Sequence, residues 1–446
     1  MSSDQEVTRR QFNRTTIATG AAAVGLTLLG GRLRARAPKR TVKVGLIGCG
    51  GRGTGAIGQH VRAGQILKDD DPTVEVQVAG MADWYKEKAE RLGQRHGVPK
   101  KRCFGGADAY KKLLDTDIDI VLMATPPVFR PLHFEASVNA GKHIFMEKPV
   151  AVDPVGCRRV LAAAKVARQK NLMVIAGTQR RHQRNYLEAQ AAVAEGALGR
   201  ILGGRVSWCG GHLGAREPFG EDVDAASLAA NWVNWVEMSG DHIVEQHVHN
   251  IDVMNWFLGT HPISAWGFGG RARRPAGNQY DFFSVDFEFP EGVRIHSTCR
   301  QISGCASWVG EHLVAEKGVT KCAGGLKPSK PVWTAEIPQE GGGHQQEHIN
   351  FLWLLARDRI LNEADSVATS TATAIMGRTA AYTGQQVFWR DLMEDPSRKP
   401  DLYNLQLKPT AEDFETGEVV PPPEGVVRIP GVSAGEGRSR RRRRDR

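Results

Sequence analysis

The segment Gly48-Cys49-Gly50-Gly51-Arg52-Gly53 carries three glycines at the G-x-G-x-x-G spacing. It follows a β-branched run at residues 42–47 and precedes a helix-compatible stretch. In that context the first glycine permits a tight turn, the second lets the backbone approach a pyrophosphate, and the third allows close helix packing. The unpaired N–H groups at the start of the helix then face the phosphates. The spacing predicts a dinucleotide-binding loop formed by Gly48, Cys49, Gly50, Gly51, Arg52 and Gly53.

Asp83 is the acid expected to bind the adenosine ribose of that dinucleotide. It lies just past a second β-branched run at residues 74–79, where such folds place a carboxylate that accepts hydrogen bonds from the ribose hydroxyls. The polar stretch 68–72 explains the long spacing from the glycines as a loop between helix and strand. A carboxylate repels a 2′-phosphate and so favours NAD, whereas Lys86 leaves NADP open. Asp83 could also cap the helix that follows it.

The elements that must position this loop alternate between short β-branched runs and helical stretches. This alternation is typical of a doubly wound α/β fold, in which helices cover both faces of a parallel sheet. The candidate strands are residues 42–47, 74–79, 118–124, 143–146 and 173–176. The sequence therefore predicts an NAD(P)-binding Rossmann domain over residues 41–177.

Beyond residue 177 the candidate strands become longer and alternate apolar with polar residues. They lie at residues 200–208, 263–269, 282–289 and 293–299. This pattern predicts a second, α+β domain at residues 178–430 with a large, mostly antiparallel open sheet. One face of such a sheet packs against helices, which leaves the other for substrate or for a second subunit.

A further motif, Glu147-Lys148-Pro149, ends the segment 141–149 and is preceded by Ala124-Thr125-Pro126-Pro127. Related stretches follow at 177–181, 245–252 and 374–378. With these motifs the sequence resembles the glucose-fructose oxidoreductase and inositol dehydrogenase family (Gfo/Idh/MocA) across residues 41–430. Within that family it is most similar to a branch of exported proteins.

The resemblance implies that Lys148 lies between the nicotinamide and the substrate, where its ammonium hydrogen-bonds the hydroxyl being oxidised. A cation at that point stabilises the developing alkoxide while a base collects the proton. Glu147 is expected to shape the backbone around the cofactor. Thr125 and Pro126 match family positions that line the dinucleotide cleft.

A second family motif, Asp-x-Gly-x-His, matches Glu245 and His249, with glutamate for the aspartate and His247 for the glycine. The resemblance implies that His249 is the general base and that Glu245 assists it. Because the two are four residues apart, on one helix they would share a face, and the carboxylate could orient the imidazole. The alternative for His249 is a hydrogen-bonded structural histidine.

Four other residues are candidates for the substrate site. Arg180 and Arg181 lie at the domain junction, where they could meet an oxygen-rich or acidic substrate, or else form structural salt bridges. Trp232 and Trp235, in an insertion at residues 209–240, could stack on a sugar ring, or else simply pack. The H-x-x-E-H pattern at 344–348 resembles a zinc motif, but it has no defined third ligand, and no metal is predicted.

The two ends of the chain carry its positive charge. Residues 1–40 and 437–446 each contribute +6 of the formal +10, so the body between them is near −2 and no nucleic-acid-binding face is predicted. Thr8-Arg9-Arg10-Gln11-Phe12 and the weakly apolar stretch after it indicate a twin-arginine export signal at 1–37. The expected location is the periplasm, with a membrane tether if the signal stays uncleaved. An Arg-rich disordered tail at 431–446 could touch anionic envelope surfaces.

These features predict an exported NAD(P)-dependent oxidoreductase that transfers a hydride to or from a sugar, polyol or glycoside carbon. Export also predicts a tightly retained cofactor, because free NAD is scarce outside the cytoplasm, and the family pattern predicts a homo-oligomer. One alternative is a glycosidase, lyase or epimerase that oxidises its sugar transiently. Another is a non-catalytic sugar-binding or scaffold protein on the same fold.

Overall fold

The computed structural model describes residues 40–70, 74–220, 223–398 and 405–431. The predicted signal at 1–37 and the tail beyond residue 431 lie outside these residues. Within them, no helix is both long and apolar enough to span a bilayer.

A six-stranded parallel sheet in the order β3-β2-β1-β4-β5-β6 forms the N-terminal layer. Helices connect its strands, which confirms the predicted doubly wound fold. Strand β2 extends to Asp83, past the predicted end, and the three-residue β3 was not predicted. The elements are β1 Arg40–Ile47, α1 Gly51–Asp70, β2 Val74–Asp83, α2 Lys86–Arg95, β3 Cys103–Gly105, α3 Ala109–Leu114, β4 Ile120–Met123, α4 Arg130–Asn139, β5 His143–Met146, α5 Pro154–Gln169 and β6 Val174–Ala176.

A crevice opens at the carboxyl end of this sheet, where the strand order reverses. Strand β1 pairs with β2 on one side and with β4 on the other. The connections after β1 and β4 therefore lead to opposite faces and leave room between them, which is where open α/β sheets bind their ligands. The glycine loop, Asp83 and Thr125 all lie at this edge.

A seven-stranded mixed sheet in the order β12-β11-β7-β10-β9-β8-β13 forms the second layer. Of its neighbouring pairs, β7 and β10 are parallel and the rest antiparallel, which confirms the predicted, mostly antiparallel sheet. Its elements are α6 Arg184–Ala194, β7 Ile201–Gly210, α7 Ala225–Ala230, α8 Val236–Ser239, α9 His242–Glu245, α10 Val248–Leu258, β8 Ser264–Gly270, β9 Phe282–Glu288, β10 Arg294–Gln301, β11 Trp308–Ala315 and β12 Gly318–Thr320. One face packs on helices, and the other carries exposed Trp266, Phe268 and Val314.

The C-terminal elements join the two layers. Helix α11, Gly343–Leu355, packs against α1, and its apolar residues belong to the same core as those of β1. Helix α12, Ala364–Thr383, buries its first turns in the N-terminal core and its later turns against β8 and β9. Strand β13, Val387–Phe388, and helix α13, Ala411–Thr416, follow. The sequence predicts all of these in the second domain, and α11 and the start of α12 also pack in the cores of the parallel sheet.

Candidate active site

The glycine loop is shaped for a phosphate group. Gly48 has a φ of +94°, and a Cβ there would lie 2.8 Å from the carbonyl carbon of Ala124. A Cβ on Gly53 would overlap the carbonyl oxygen of Gly48, so helix α1 can approach β1 only with glycine at this position. Gly50 and Gly51 have no neighbour within 4 Å on their open side. The loop therefore fits a dinucleotide pyrophosphate.

Asp83 connects this loop to the ribose end of the crevice. Its Oδ2 accepts a hydrogen bond from the backbone N–H of Cys49 at 2.7 Å, and its Oδ1 accepts one from the N–H of Tyr85 at 2.9 Å. Each oxygen keeps a second lone pair. A cleft of about 320 Å³ runs past Gly48, Asp83, Thr125 and Pro126. The donor and acceptor set fits NAD.

Lys148 and Glu245 meet where the two layers join. The Lys148 Nζ donates to the Glu245 backbone carbonyl at 2.6 Å and to Glu245 Oε1 at 3.0 Å. The two side chains are only 11% and 10% exposed, so each charge offsets the cost of burying the other. Glu147, just before the lysine, is buried and lies 3.2 Å from the Arg52 Nε. Arg52 of the glycine loop is thus tied to the Glu-Lys-Pro motif.

His249 is buried beside Lys148. Its ring stacks on Trp208 with centroids 5.6 Å apart and planes 25° from parallel, and its Nδ1 has no hydrogen-bond partner among the described residues. Burial, and then the positive charges of Lys148 and Arg180, hold the pKa of His249 well below its ordinary value. The imidazole is therefore neutral near pH 7 and can accept a proton.

The Glu245 carboxylate does not hydrogen-bond His249, although the sequence predicts that it orients this imidazole. Glu245 ends helix α9 and His249 lies in α10, so the two do not share one helix face. The helical conformation is interrupted between α9 and α10. His247 lies in this interruption, where it is buried and hydrogen-bonds the Ser297 hydroxyl of β10 at 2.8 Å. The Glu245 carboxylate turns to the ammonium of Lys148 instead, and Gln246 donates to its other oxygen at 2.6 Å.

Both candidate arginines are held in buried ion pairs. Arg180 pairs with Glu311 at 2.6 Å, and Arg181 makes two hydrogen bonds to Asp252 at 2.8 and 2.9 Å. Glu311 and Asp252 are each 1% exposed at the side chain. The structural alternative holds for both arginines, and neither offers a free cation to an acidic substrate.

The tryptophans predicted to stack on a sugar lie elsewhere. Trp235 is fully buried against Phe219, so the stacking prediction is wrong for it. Trp232 lines the dinucleotide cleft together with Asp83, and His249 is not among the residues that line that cleft. The aromatic residue beside His249 is Trp208, near the end of β7. The sequence could have indicated it, because it shares a strand face with the buried Val206.

His344, for which the sequence predicts no metal-binding role, lies within reach of the charges of Arg52 and Lys148. Its side chain is about half exposed at the start of α11. Burial lowers its pKa, and so do the charges of Arg52 and Lys148. Glu347, one turn on, is buried 3.7 Å from the His344 Nδ1. Among the described residues, no three side chains converge as a metal site.

Comparison with known proteins agrees with this architecture. Residues 42–177 match the "Oxidoreductase family, NAD-binding Rossmann fold", and residues 186–318 match the GFO/IDH/MocA C-terminal domain. The first match confirms the predicted NAD cofactor. The chain is 29% identical over 227 residues to inositol 2-dehydrogenase from Paracoccus denitrificans, a stretch that is 50% of this chain and 56% of that relative. It therefore spans about half the length of this curated relative.

Two other proteins extend the comparison. A glycosyl hydrolase family 109 protein from Shewanella pealeana is 29% identical over 177 residues, 38% of this chain and 35% of that relative. The structure of scyllo-inositol dehydrogenase from Lactobacillus casei with bound NAD(H) and scyllo-inositol has a TM-score of 0.58 at 19% identity, over 78% of this chain and 99% of that one. At this identity the likeness shows the fold. From its two matched domains, the chain belongs to the GFO/IDH/MocA family.

Proposed function

We propose that this protein is an NAD-dependent oxidoreductase that oxidises a hydroxyl-bearing carbon of a sugar, polyol or cyclitol to a carbonyl, or reduces that carbonyl in the reverse direction. The observation that carries the proposal is a buried Lys148 ammonium, directly after the Glu147 that pairs with Arg52 of the glycine loop, together with a buried His249 whose pKa that ammonium helps to lower. Bound NAD supplies the hydride acceptor or donor. The similarity to inositol 2-dehydrogenases supports a polyhydroxylated substrate.

Each of the two groups has one task. An ammonium has three N–H donors, and among the described residues Lys148 has two acceptors, both on Glu245, so one N–H remains for the substrate oxygen. That N–H stabilises the alkoxide that develops as hydride leaves the carbon. The neutral His249 accepts the hydroxyl proton, and it returns the proton in the reverse direction.

The charges around the site favour a neutral substrate. Arg180 and Arg181 are neutralised by Glu311 and Asp252, so they do not select for a carboxylate. Trp208 presents an aromatic surface beside His249 that suits the apolar face of a cyclic polyol. We therefore expect cyclitols and neutral sugars to be better substrates than uronates.

The test is NADH formation with a panel of inositols and neutral hexoses, with uronates for comparison. We expect Lys148→Ala to abolish turnover while NAD still binds, and Lys165→Ala, which removes an exposed lysine from α5, to leave turnover unchanged. Full turnover in Lys148→Ala would contradict the assigned roles. A wild type that turns over none of the panel, with ligand affinity intact in Lys148→Ala, would favour the non-catalytic sugar-binding or scaffold alternative.

A second candidate is a glycosidase, lyase or epimerase that oxidises its sugar only transiently. The similarity to a glycosyl hydrolase family 109 protein favours keeping it. Oxidation at the carbinol would acidify a neighbouring C–H, so product formed in D₂O would carry deuterium there, with no net NADH. Product without deuterium would exclude this reaction.

Four further proposals concern export, the C-terminal tail, oligomerisation and cofactor retention. The twin-arginine segment at 1–37 would direct export to the periplasm, and the Arg-rich tail at 431–446 would touch anionic envelope surfaces. The exposed apolar face of the second sheet would form the contact of a homo-oligomer, since patches of this kind mark interaction sites. Export would also require the cofactor to stay bound.

A further inference from the structure

Residues outside the Rossmann layer also line the dinucleotide cleft. Besides the glycine loop and Asp83, it is lined by Ala229, Ala230 and Trp232, which lie on α7 and just after it. It is also lined by Ala411, Phe414 and Glu415 of α13. We call these two pieces, residues 225–232 and 411–416, the roof. Neither carries a glycine-loop motif, so the sequence gives no sign that they belong to the cofactor site.

Helix α13 is fastened to the Rossmann layer by polar and aromatic contacts. Glu415 accepts hydrogen bonds from the Tyr110 hydroxyl at 2.7 Å and from the Lys111 ammonium at 2.9 Å. The Phe414 ring meets Trp84 and Phe129 edge to face, with centroids 5.5 and 4.9 Å apart. A capping box at Thr410 fixes the start of the helix. The helix is thus bound to the walls of the cleft.

Helix α7 is fastened through the residue that also holds the ribose acid. The Tyr85 hydroxyl donates to the Ala226 carbonyl of α7 at 2.8 Å, while the Tyr85 backbone N–H donates to Asp83 at 2.9 Å. The Lys88 ammonium lies over the Tyr85 ring, 4.3 Å from its centroid. Tyr85 therefore connects the roof directly to the expected ribose-binding group.

We propose that the roof completes the dinucleotide site and that it must open before the cofactor leaves, so that NAD is retained through many turnovers. This inference rests on the proposed function, because it takes the occupant of the cleft to be NAD. Opening of the roof breaks the hydrogen bonds that Tyr85 and Glu415 make between the roof and the Rossmann layer. These hydrogen bonds stay formed while NAD is bound. Weakening either one should speed release by roughly tenfold, the effect of one lost hydrogen bond that involves a charge or a buried group.

The experiment measures cofactor release rather than turnover. The full-length protein is loaded with isotope-labelled NAD and chased with excess unlabelled NAD, and the bound label is followed by native mass spectrometry. We expect release over many minutes for the wild type. Tyr85→Phe and Glu415→Gln should each release label about tenfold faster. Glu418→Gln, an exposed change just after α13, is the matched control and should behave as the wild type.

The possible failures are distinguishable. If NAD binds but exchanges within seconds in the wild type, or if Tyr85→Phe and Glu415→Gln release label at the wild-type rate, the roof is overturned and the proposed function stands. If NAD does not bind at millimolar concentration, the proposed function fails, and the roof fails with it. Unchanged thermal unfolding of Tyr85→Phe ties faster release to the lost contact rather than to misfolding.

Discussion

Removing the negative charge of Glu245 should destabilise the protein because the buried Lys148 ammonium then has no counter-charge. His249 should have no part in this loss of stability. At an effective dielectric constant of about 20, unit charges 3.0 Å apart attract by about 5 kcal/mol. In Glu245→Gln the ammonium keeps the backbone carbonyl of residue 245 but loses its counter-charge in a site that is about one-tenth exposed. We therefore expect the variant to lose about 3 kcal/mol of unfolding free energy, the lower end of the cost of breaking a buried ion pair.

Double-mutant cycles on urea unfolding measure this directly. Lys148→Met removes the ammonium, so Glu245→Gln in that background should cost little, and the coupling energy of the pair should be about 3 kcal/mol. The same cycle with His249→Asn should give a much smaller coupling, because no hydrogen bond joins the side chains of Glu245 and His249. The assignment would be refuted if Glu245→Gln and Lys148→Met had additive effects on unfolding free energy while Glu245→Gln and His249→Asn were strongly coupled.

Three further outcomes follow from the geometry. Gly53→Ala should abolish NAD binding in a calorimetric titration while the protein still folds, because the added methyl overlaps the Gly48 carbonyl and displaces the loop. Trp208→Leu should lower kcat/KM about tenfold or more through loss of the aromatic surface beside His249, with NAD affinity unchanged. Burial lowers the pKa of His60 to about 3, so below pH 6.5 the unfolded chain binds a proton that the native imidazole does not. The stability of the wild type relative to His60→Gln should thus fall by about 2.5 kcal/mol from pH 6 to pH 4, and a pH-independent difference would contradict the burial of a neutral ring.

The dinucleotide half could be predicted because its signals are local. The glycines, the strand before them and Asp83 lie close together in sequence, and each is required by backbone geometry at that point. Strand β3 escaped prediction because three residues, Cys103–Gly105, are too short to show a β pattern. The length of β2 was underestimated because its last residues include Gly80, which reads as a strand breaker.

The substrate side could be predicted less well because its geometry depends on contacts between distant segments. A spacing of four predicted a shared helix face for Glu245 and His249, but the burial of His247 against β10 divides the helix between them. The pairing of Lys148 with Glu245 spans 97 residues. The roof brings α13 onto Tyr110, 305 residues from Glu415, and no local pattern encodes such a contact.

The edge of the parallel sheet at β6 is completed by residues that are synthesised much later than the strand itself. Val174 of β6 donates its N–H to the Leu361 carbonyl and accepts from the Glu363 N–H, both at 2.9 Å, so that edge is completed by residues far downstream. Helix α1 lies on the sheet with one side and packs against α11 with another. When only the first 177 residues have emerged from the ribosome, the parallel sheet has an open edge at β6 and an apolar face of α1 is uncovered. We therefore expect the nucleotide-binding domain to complete its native packing only after residue 363 has emerged.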